Sequence, residues 1–208
     1  MSTPDKSIDP KLLECAKKEF LKNGFLNASL KSICDAAGIT TGAVYKRYKG
    51  KEELFCAVVE PTIKQLTEFI AARSDADFAS MSDAQIARSW MMDEPAMLET
   101  FKLIWKQRRG FVLLLDKSAG TRYENFRHDF VEMMSKTYEL IFSETRKRGL
   151  ARADLSAKEL HVLCSSFWTS VYEPFIHAMT WEEIEVHCRA ICRFFDWPKV
   201  IGLTRKGG

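Results

Sequence analysis

The chain has 208 residues, 46% of them apolar and 28% charged, and a net charge of +3. That is enough for one large domain or two small ones around a real hydrophobic core, and too little net charge to imply a nucleic-acid partner by itself. The opening MSTPDKSIDPK has no apolar stretch, so no signal peptide is expected, and the longest uncharged run, 160–172, is too short to span a bilayer. Six cysteines, at 15, 34, 56, 164, 188 and 192, include no Cys-x-x-Cys pair. Free thiols, a cytoplasmic location and no membrane partner are the expectations.

Strand signals are scarce: there is no alternating Val/Ile run and no Asn-Gly or Asp-Gly hairpin turn. Helical spacing recurs throughout and predicts an all-α fold of about nine helices. Asp9-Pro10 reads as an N-cap with proline in the first turn, Leu12, Leu13, Ala16, Phe20 and Leu21 follow at helical spacing, and Gly24 stands in the C-cap place. Ser29 caps a short second helix with Leu30, Ile33, Cys34 and Ala37 on its apolar side, and Gly38 stops it. Thr40 or Thr41 caps a third, running to about Tyr48, and Lys51 opens a fourth with Pro61 inside it. Residues 74–82 read as a loop. Asp93 caps a helix ending near Arg109-Gly110, and the apolar run 111–115 is read as a buried helix because helices flank it. Thr121 opens a long helix to Arg148, which Gly149 ends. Asp154 or Ser156 caps the next, and Thr180, with Glu183 completing a capping box, caps the last.

The stretch AAGITTGAVYKRYKGKEEL, residues 36–54, sets Lys46, Arg47, Lys49 and Lys51 and two tyrosines behind a Thr-Thr pair. Short helices on both sides of the Gly38 turn have the layout of a helix-turn-helix unit. Phe20, Gly24, Phe25, Ser29, Ile33, Ala36-Ala37-Gly38-Ile39, Gly42, Val44-Tyr45, Tyr48, Lys51, Glu52, Glu53 and Leu54 together resemble the TetR family of bacterial transcriptional regulators, over residues 10–59. The resemblance implies a helix-turn-helix DNA-binding domain over residues 1–53 and a ligand-binding and dimerisation domain over residues 54–208.

The residue chemistry agrees with that resemblance. Gly38 permits a positive-φ turn, Thr40 and Thr41 offer hydroxyls and helix N-terminal amides to a phosphate, and Gly42 and Ala43 let the helix sit deep in a major groove. The resemblance gives Tyr45 and Lys51 to DNA phosphates, turns Tyr48 inward, and adds Ser29 and Lys31 of the second helix to the DNA-binding set. Lys46 and Arg47 flank the groove, although these two and Lys49 suit a solvated basic face as well. Thr41, Ala43, Lys46 and Arg47 depart from the commonest family pattern, so no operator sequence carries over. The implied partners are double-stranded DNA with a palindromic operator, a second copy of the chain and a small apolar effector.

Residues 60–208 supply no family motif. By resemblance, they hold an effector pocket between helices. Trp105, Phe126, Met134, Trp168 and Tyr172 are candidate walls, and Asp116, Arg122 or His177 could anchor a polar group; aromatics at this spacing are also ordinary core. Leu160, Leu163, Cys164, Phe167, Val171 and Phe175 make one broad stripe, and Ile184, His187, Cys188, Ile191, Phe194 and Phe195 make another; a four-helix dimer interface is expected from them. The function expected is a repressor released from its operator by a small apolar ligand. The alternative is a metal- or thiol-sensing regulator using His187, Cys188 and Cys192, against the plainer account of small cysteines filling a bundle seam. No nucleophile elbow, phosphate loop or His-Glu-x-x-His motif occurs, so neither enzymatic activity nor a cofactor is expected.

Overall fold

The computed structural model describes residues 8–74, 77–152 and 154–204. Among these the helices are α1 (Ile8–Asn27), α2 (Leu30–Ala37), α3 (Thr41–Tyr45), α4 (Lys51–Ser74), α5 (Asp83–Ser89) and α6 (Glu94–Lys106). They are followed by α7 (Arg108–Asp116), α8 (Phe126–Lys147), α9 (Ala157–Ile176), α10 (Trp181–Phe194) and α11 (Trp197–Val200). The described residues form no β-strand; one isolated bridge joins Ala151 and Leu203. The fold is all-α. By packing it divides into two compact units, Met1–Thr67 with Gln107–Arg127, and Glu68–Lys106 with His128–Gly208.

In the first unit, local chemistry sets the helix ends. Gly24, at φ 69, breaks the helical backbone near the end of α1. Ser29 Oγ accepts from Ser32 N to start α2, and Gly38, in the left-handed region at φ 72, closes it. Thr40, not Thr41, caps α3, accepting from Ala43 N. The core buries Leu12, Ala16, Phe20, Ile33, Val44, Leu54 and Phe55, and each of these side chains larger than alanine is worth about 1.5–3 kcal/mol when removed from water. Phe20, Phe25 and Phe55 meet as a ring cluster with centroids 5.1–6.1 Å apart. Helix α7 joins this unit: Arg109 Nη1 donates to Glu14 Oε1 at 2.8 Å, and Phe25 N donates to Lys117 O at 2.9 Å. Gly110 allows the close approach, because a Cβ there would fall 2.0 Å from Thr62 Oγ1.

In the second unit, Ile86, Trp90, Phe101, Leu160, Cys164, Val171, Ile184 and Cys188 are buried. Trp90 Nε1 donates to Thr145 Oγ1 at 2.9 Å, so its polar atom is satisfied inside the core. Arg148 clamps the segment before α5. Its Nε donates to Glu144 Oε1 at 2.7 Å, its Nη2 donates to the carbonyls of Phe78 and Ala79 at 3.0 and 2.9 Å, and its Nη1 donates to Met81 O.

Several expected boundaries move. The helix beginning at Phe126 does not start at Thr121, because residues 118–123 close a turn of their own. Ser118 Oγ donates to Leu114 O and Tyr123 O, Thr121 Oγ1 donates to Ser118 O, and Gly120 adopts φ 83. The helix opened by Glu94 stops at Lys106, and Gly110 lies inside α7 rather than ending its predecessor. Helices α5 and α11 are additions to the expected set. The first is opened by a capping box between Ser82 and Gln85, the second capped by Asp196, which accepts from Lys199 N.

Candidate nucleic-acid interface

Helix α2, the Gly38 turn and α3 form a helix-turn-helix whose buried side is Ile33, Cys34, Ala37 and Val44. What remains outward is a small mixed surface. Lys31, Thr40, Thr41, Gly42, Tyr45 and Lys46 are all exposed, and Tyr45 is 58% exposed despite its large ring. A ring held in water on a short, capped helix next to Lys46 suits a phosphate and groove wall better than a core. Ala43 is half-buried beside them. Ser29 spends its hydroxyl lone pair on Ser32 N, and its own N–H donates to Glu19 Oε1 at 3.0 Å. It therefore fixes the start of α2.

The cations of this stretch divide. Arg47 turns inward: its side chain is 10% exposed, its Nε donates to Asp9 Oδ1 at 2.8 Å and its Nη1 to Ala43 O at 3.0 Å. Lys51 likewise faces the protein. Its Nζ donates to Leu26 O and Ala28 O, at 3.0 Å each, and stands 4.7 Å from the centroid of the Phe25 ring. Arg47 was expected to flank a groove and Lys51 to reach a phosphate; in the DNA-free chain both side chains have protein partners. Lys51 serves carbonyls near the end of α1, whereas Arg47 joins the first turn of α1 to α3. Lys49 is exposed, its Nζ 3.8 Å from Glu53 Oε1. Tyr48 is half-buried, and burial, with Asp9 nearby, pushes its phenol upward.

The second unit has a half-open pocket of about 420 Å³, within the range of small-molecule sites. Met134 and Trp168 line it as expected. Its other walls include Trp90, Met97, Thr100, Tyr138 and Trp197, together with Phe78 and Met81 from the segment that Arg148 holds. The remaining candidate pocket residues lie elsewhere. Trp105 packs against Trp181 and Phe175, and the Tyr172 hydroxyl pairs with Thr169 Oγ1 at 3.1 Å. His177 is exposed beside Glu173. Asp116, Arg122 and Phe126 belong to the first unit, where Asp116 pairs with Lys117, Arg122 with Glu52, and Phe126 packs on Phe111. Periodicity gives these residues an apolar face without saying which faces stay open.

The residues of the expected dimer stripes face largely inward within the single chain. Leu160, Cys164, Phe167, Val171, Phe175, Ile184, Cys188, Ile191 and Phe195 are buried within a single chain, and Leu163 is half-buried. One subunit covers them because α6, α8 and α11 supply partners: Phe101 meets Phe175, and Trp197 meets Phe167 and Phe195. On α9 and α10 the large apolar residues left outward among the described residues are Val162, at 61% exposure, and Val186 and Phe194, at 59% and 80%.

The described residues hold no group of three His, Cys, Asp or Glu placed to bind a metal. His187 Nε2 lies 2.7 Å from Ser170 O, and burial foremost pushes the Cys188 thiol up to about 12, far from the thiolate a metal requires. No described helix is long and apolar enough to cross a membrane.

Residues 12–58 match the family model described as bacterial regulatory proteins, tetR family. The HTH-type transcriptional regulator SrpR of Pseudomonas putida is 25% identical over 191 residues, which cover 79% of this chain and 85% of that protein. The HTH-type transcriptional regulator UidR of Escherichia coli K12 is 34% identical over 59 residues, 28% of this chain and 30% of that protein. The structure of NalD, the secondary repressor of the MexAB-OprM multidrug efflux pump in Pseudomonas aeruginosa, aligns with a TM-score of 0.58 at 22% identity, covering 97% of this chain and 99% of that one. At that identity the likeness is one of fold. The matched segment runs from α1 into the start of α4, so residues 12–58 form a helix-turn-helix region of the TetR type, and the chain is a DNA-binding transcriptional regulator.

Proposed function

We propose that this regulator is a homodimeric repressor that holds a palindromic operator through α3 and lets go when a small apolar molecule occupies the cavity of the second unit. The observation that carries the reading is the outward set of Lys31, Thr40, Thr41, Tyr45 and Lys46 on a helix-turn-helix whose ends are capped and whose back is buried. Tyr45 and the threonine hydroxyls serve phosphates, while Thr41 and Lys46 face base edges. Lys51 and Arg47 act indirectly, by fixing α3 and the end of α1.

Dimerisation supplies two such helices, spaced for successive major grooves. The outward faces of α9 and α10, with Val162, Val186 and Phe194, are the apolar surface available for it. Helix α4 relates ligand to DNA: it is one helix from Lys51 to Ser74, and its residue Phe69 is among the cavity walls. A coupling of about 1–3 kcal/mol would change operator affinity roughly 5–150-fold.

The test is fluorescence anisotropy of a labelled operator fragment over a salt series. Replacing Tyr45 by Phe should weaken all sequences alike, and replacing Lys46 by Ala should weaken the preferred operator more than other sequences. Unchanged affinity and slope in both variants would rule out this face as the DNA surface.

A further inference from the structure

The acids of α1 are all committed to partners. Asp9 Oδ1 accepts from Arg47 Nε at 2.8 Å, and Glu14 Oε1 accepts from Arg109 Nη1 at 2.8 Å. Glu19 Oε1 accepts from Asn23 Nδ2 at 2.9 Å and from Ser29 N at 3.0 Å. Lys11 stands between the first two of these acids and shares neither. It is exposed, and no carboxylate among the described residues pairs with it.

Its place in the fold is specific. Lys11 Nζ lies 3.7 Å from the position a Cβ would take on Gly38, so the ammonium stands over the turn that joins α2 to α3. Two residues earlier, Asp9 holds Arg47, just past the other end of α3. The first turn of α1 therefore reaches both ends of α3: Lys11 lies where Thr40 and Thr41 open it, and Asp9 where Lys46 closes it. Gly38, Thr40 and Thr41 are themselves exposed. An ammonium with no partner in the fold, set beside the helix that enters the groove, is a ready counter-ion for a phosphate.

We infer that Lys11 neutralises a DNA backbone phosphate at the edge of the groove entered by α3, so that the DNA-binding surface extends from the helix-turn-helix onto the first turn of α1. The inference rests on the placement of α3 in the groove given above. A phosphate contact positions a protein without reading sequence. Lys11 therefore fixes how α3 enters and leaves the choice of bases to Thr41 and Lys46. Lys64 gives the comparison. It too is exposed and without an ion-pair partner among the described residues, on the part of α4 that packs against α7 through Thr62 and Gly110.

The experiment is fluorescence anisotropy of the full-length protein over a salt series, on a labelled duplex holding a site selected from a random library and on a labelled duplex of scrambled sequence. Lys11→Gln should lower the log–log salt slope by about 0.9 for each subunit bound. It should weaken both duplexes by the same factor, about two- to fivefold for each subunit, as for an exposed ion pair. Lys11→Arg keeps the charge and should keep the parent slope. Lys64→Gln should keep it too, which separates a phosphate contact from the field of the whole protein. The urea midpoint of Lys11→Gln should equal that of the parent, because the ammonium holds nothing in the fold.

A parent slope in Lys11→Gln, an equal fall in Lys64→Gln, or a urea midpoint lowered enough to account for the lost affinity would overturn the inference. Tyr45→Phe in the same series scores the underlying reading separately. If it weakens binding while Lys11→Gln does not, only the extension onto α1 fails. If Lys11→Gln lowers the slope while Tyr45→Phe changes nothing, the phosphate contact stands and the role of Tyr45 falls. If neither variant differs from the parent, both fail.

Discussion

Arg47 Nε donates to Asp9 Oδ1 at 2.8 Å, joining the turn after α3 to the first turn of α1, 38 residues earlier in the chain. The same guanidinium donates to Ala43 O. A cation in the middle of a basic run therefore ties the helix-turn-helix together. Arg47→Ala should destabilise the protein by about 1–2 kcal/mol, as expected for a largely buried charge-assisted hydrogen bond. A double-mutant cycle with Asp9→Ala, followed by urea unfolding, should show that the two losses are not additive. Unchanged stability together with altered sequence preference would instead make Arg47 a base reader.

Lys51 is the second cation of this run with protein partners. It holds the carbonyls of Leu26 and Ala28, where the α1 backbone has run out of helical partners. Lys51→Ala should lower the urea midpoint, by about 1 kcal/mol in stability for the missing hydrogen bonds. Its salt slope for DNA should match that of the parent, because the ammonium is not given to a phosphate. A slope reduced by about 0.9 per subunit would return Lys51 to the DNA-contacting set.

Gly110 and Thr62 pack so closely that a methyl group has no room. Gly110→Ala should cost about 1–3 kcal/mol through overpacking, although alanine is the better helix former. Thr62→Ala in the same chain should recover part of that loss, since it removes Oγ1, the nearest atom at 2.0 Å. The check is thermal unfolding of the single and double variants; a stabilised Gly110→Ala would contradict the packing.

Phe194 is 80% exposed on α10, so it contributes little to the fold of one chain. Phe194→Asp should leave helicity and melting of the monomer intact and shift the protein toward monomer in sedimentation at micromolar concentration. Loss of operator affinity should accompany that shift. An unchanged dimer would place the interface elsewhere.

Burial foremost holds the thiols of Cys164 and Cys188 up at about 12. Iodoacetamide at pH 8 should label neither in the native protein and both after unfolding. A raised folded-state value contributes stability that is full below the ordinary thiol value of 9.0 and is lost as pH rises through about 12. The urea midpoint should therefore fall between pH 8 and pH 10.5, and fall less in a Cys164→Ala, Cys188→Ala variant. Labelling of Cys188 in the native state would revive a thiol-sensing role.

Helix ends are legible in the sequence where their chemistry is local. Ser29, Gly38, Thr40, Gly149, Ser156 and Thr180 act within four residues of themselves, and each stands at an observed helix end. The same kind of signal is present for α5, as Ser82 with Gln85, and for α11, as Asp196 before Trp197-Pro198, but those helices are too short for periodicity to point to them. The direction of Arg47 is not legible, since Asp9 is distant in sequence. Nor can spacing decide which apolar stripe meets its own chain: Phe167 and Phe195 look like an interface until Trp197 arrives to cover them. Cavity walls escape sequence reading for the same reason. Trp105 and Trp168 share a composition and a period, yet only Trp168 borders the cavity.

The central claim is that α2 and α3 read a two-fold DNA sequence. Its most direct measurement is selection of bound fragments from a random duplex library by the purified protein, with a parallel low-salt selection as the control for non-specific binding. The account predicts enrichment of one palindromic site, abolished or changed by Thr41→Ala and Lys46→Ala and weakened without change of sequence by Tyr45→Phe. Recovery of no common sequence above the low-salt background would contradict it.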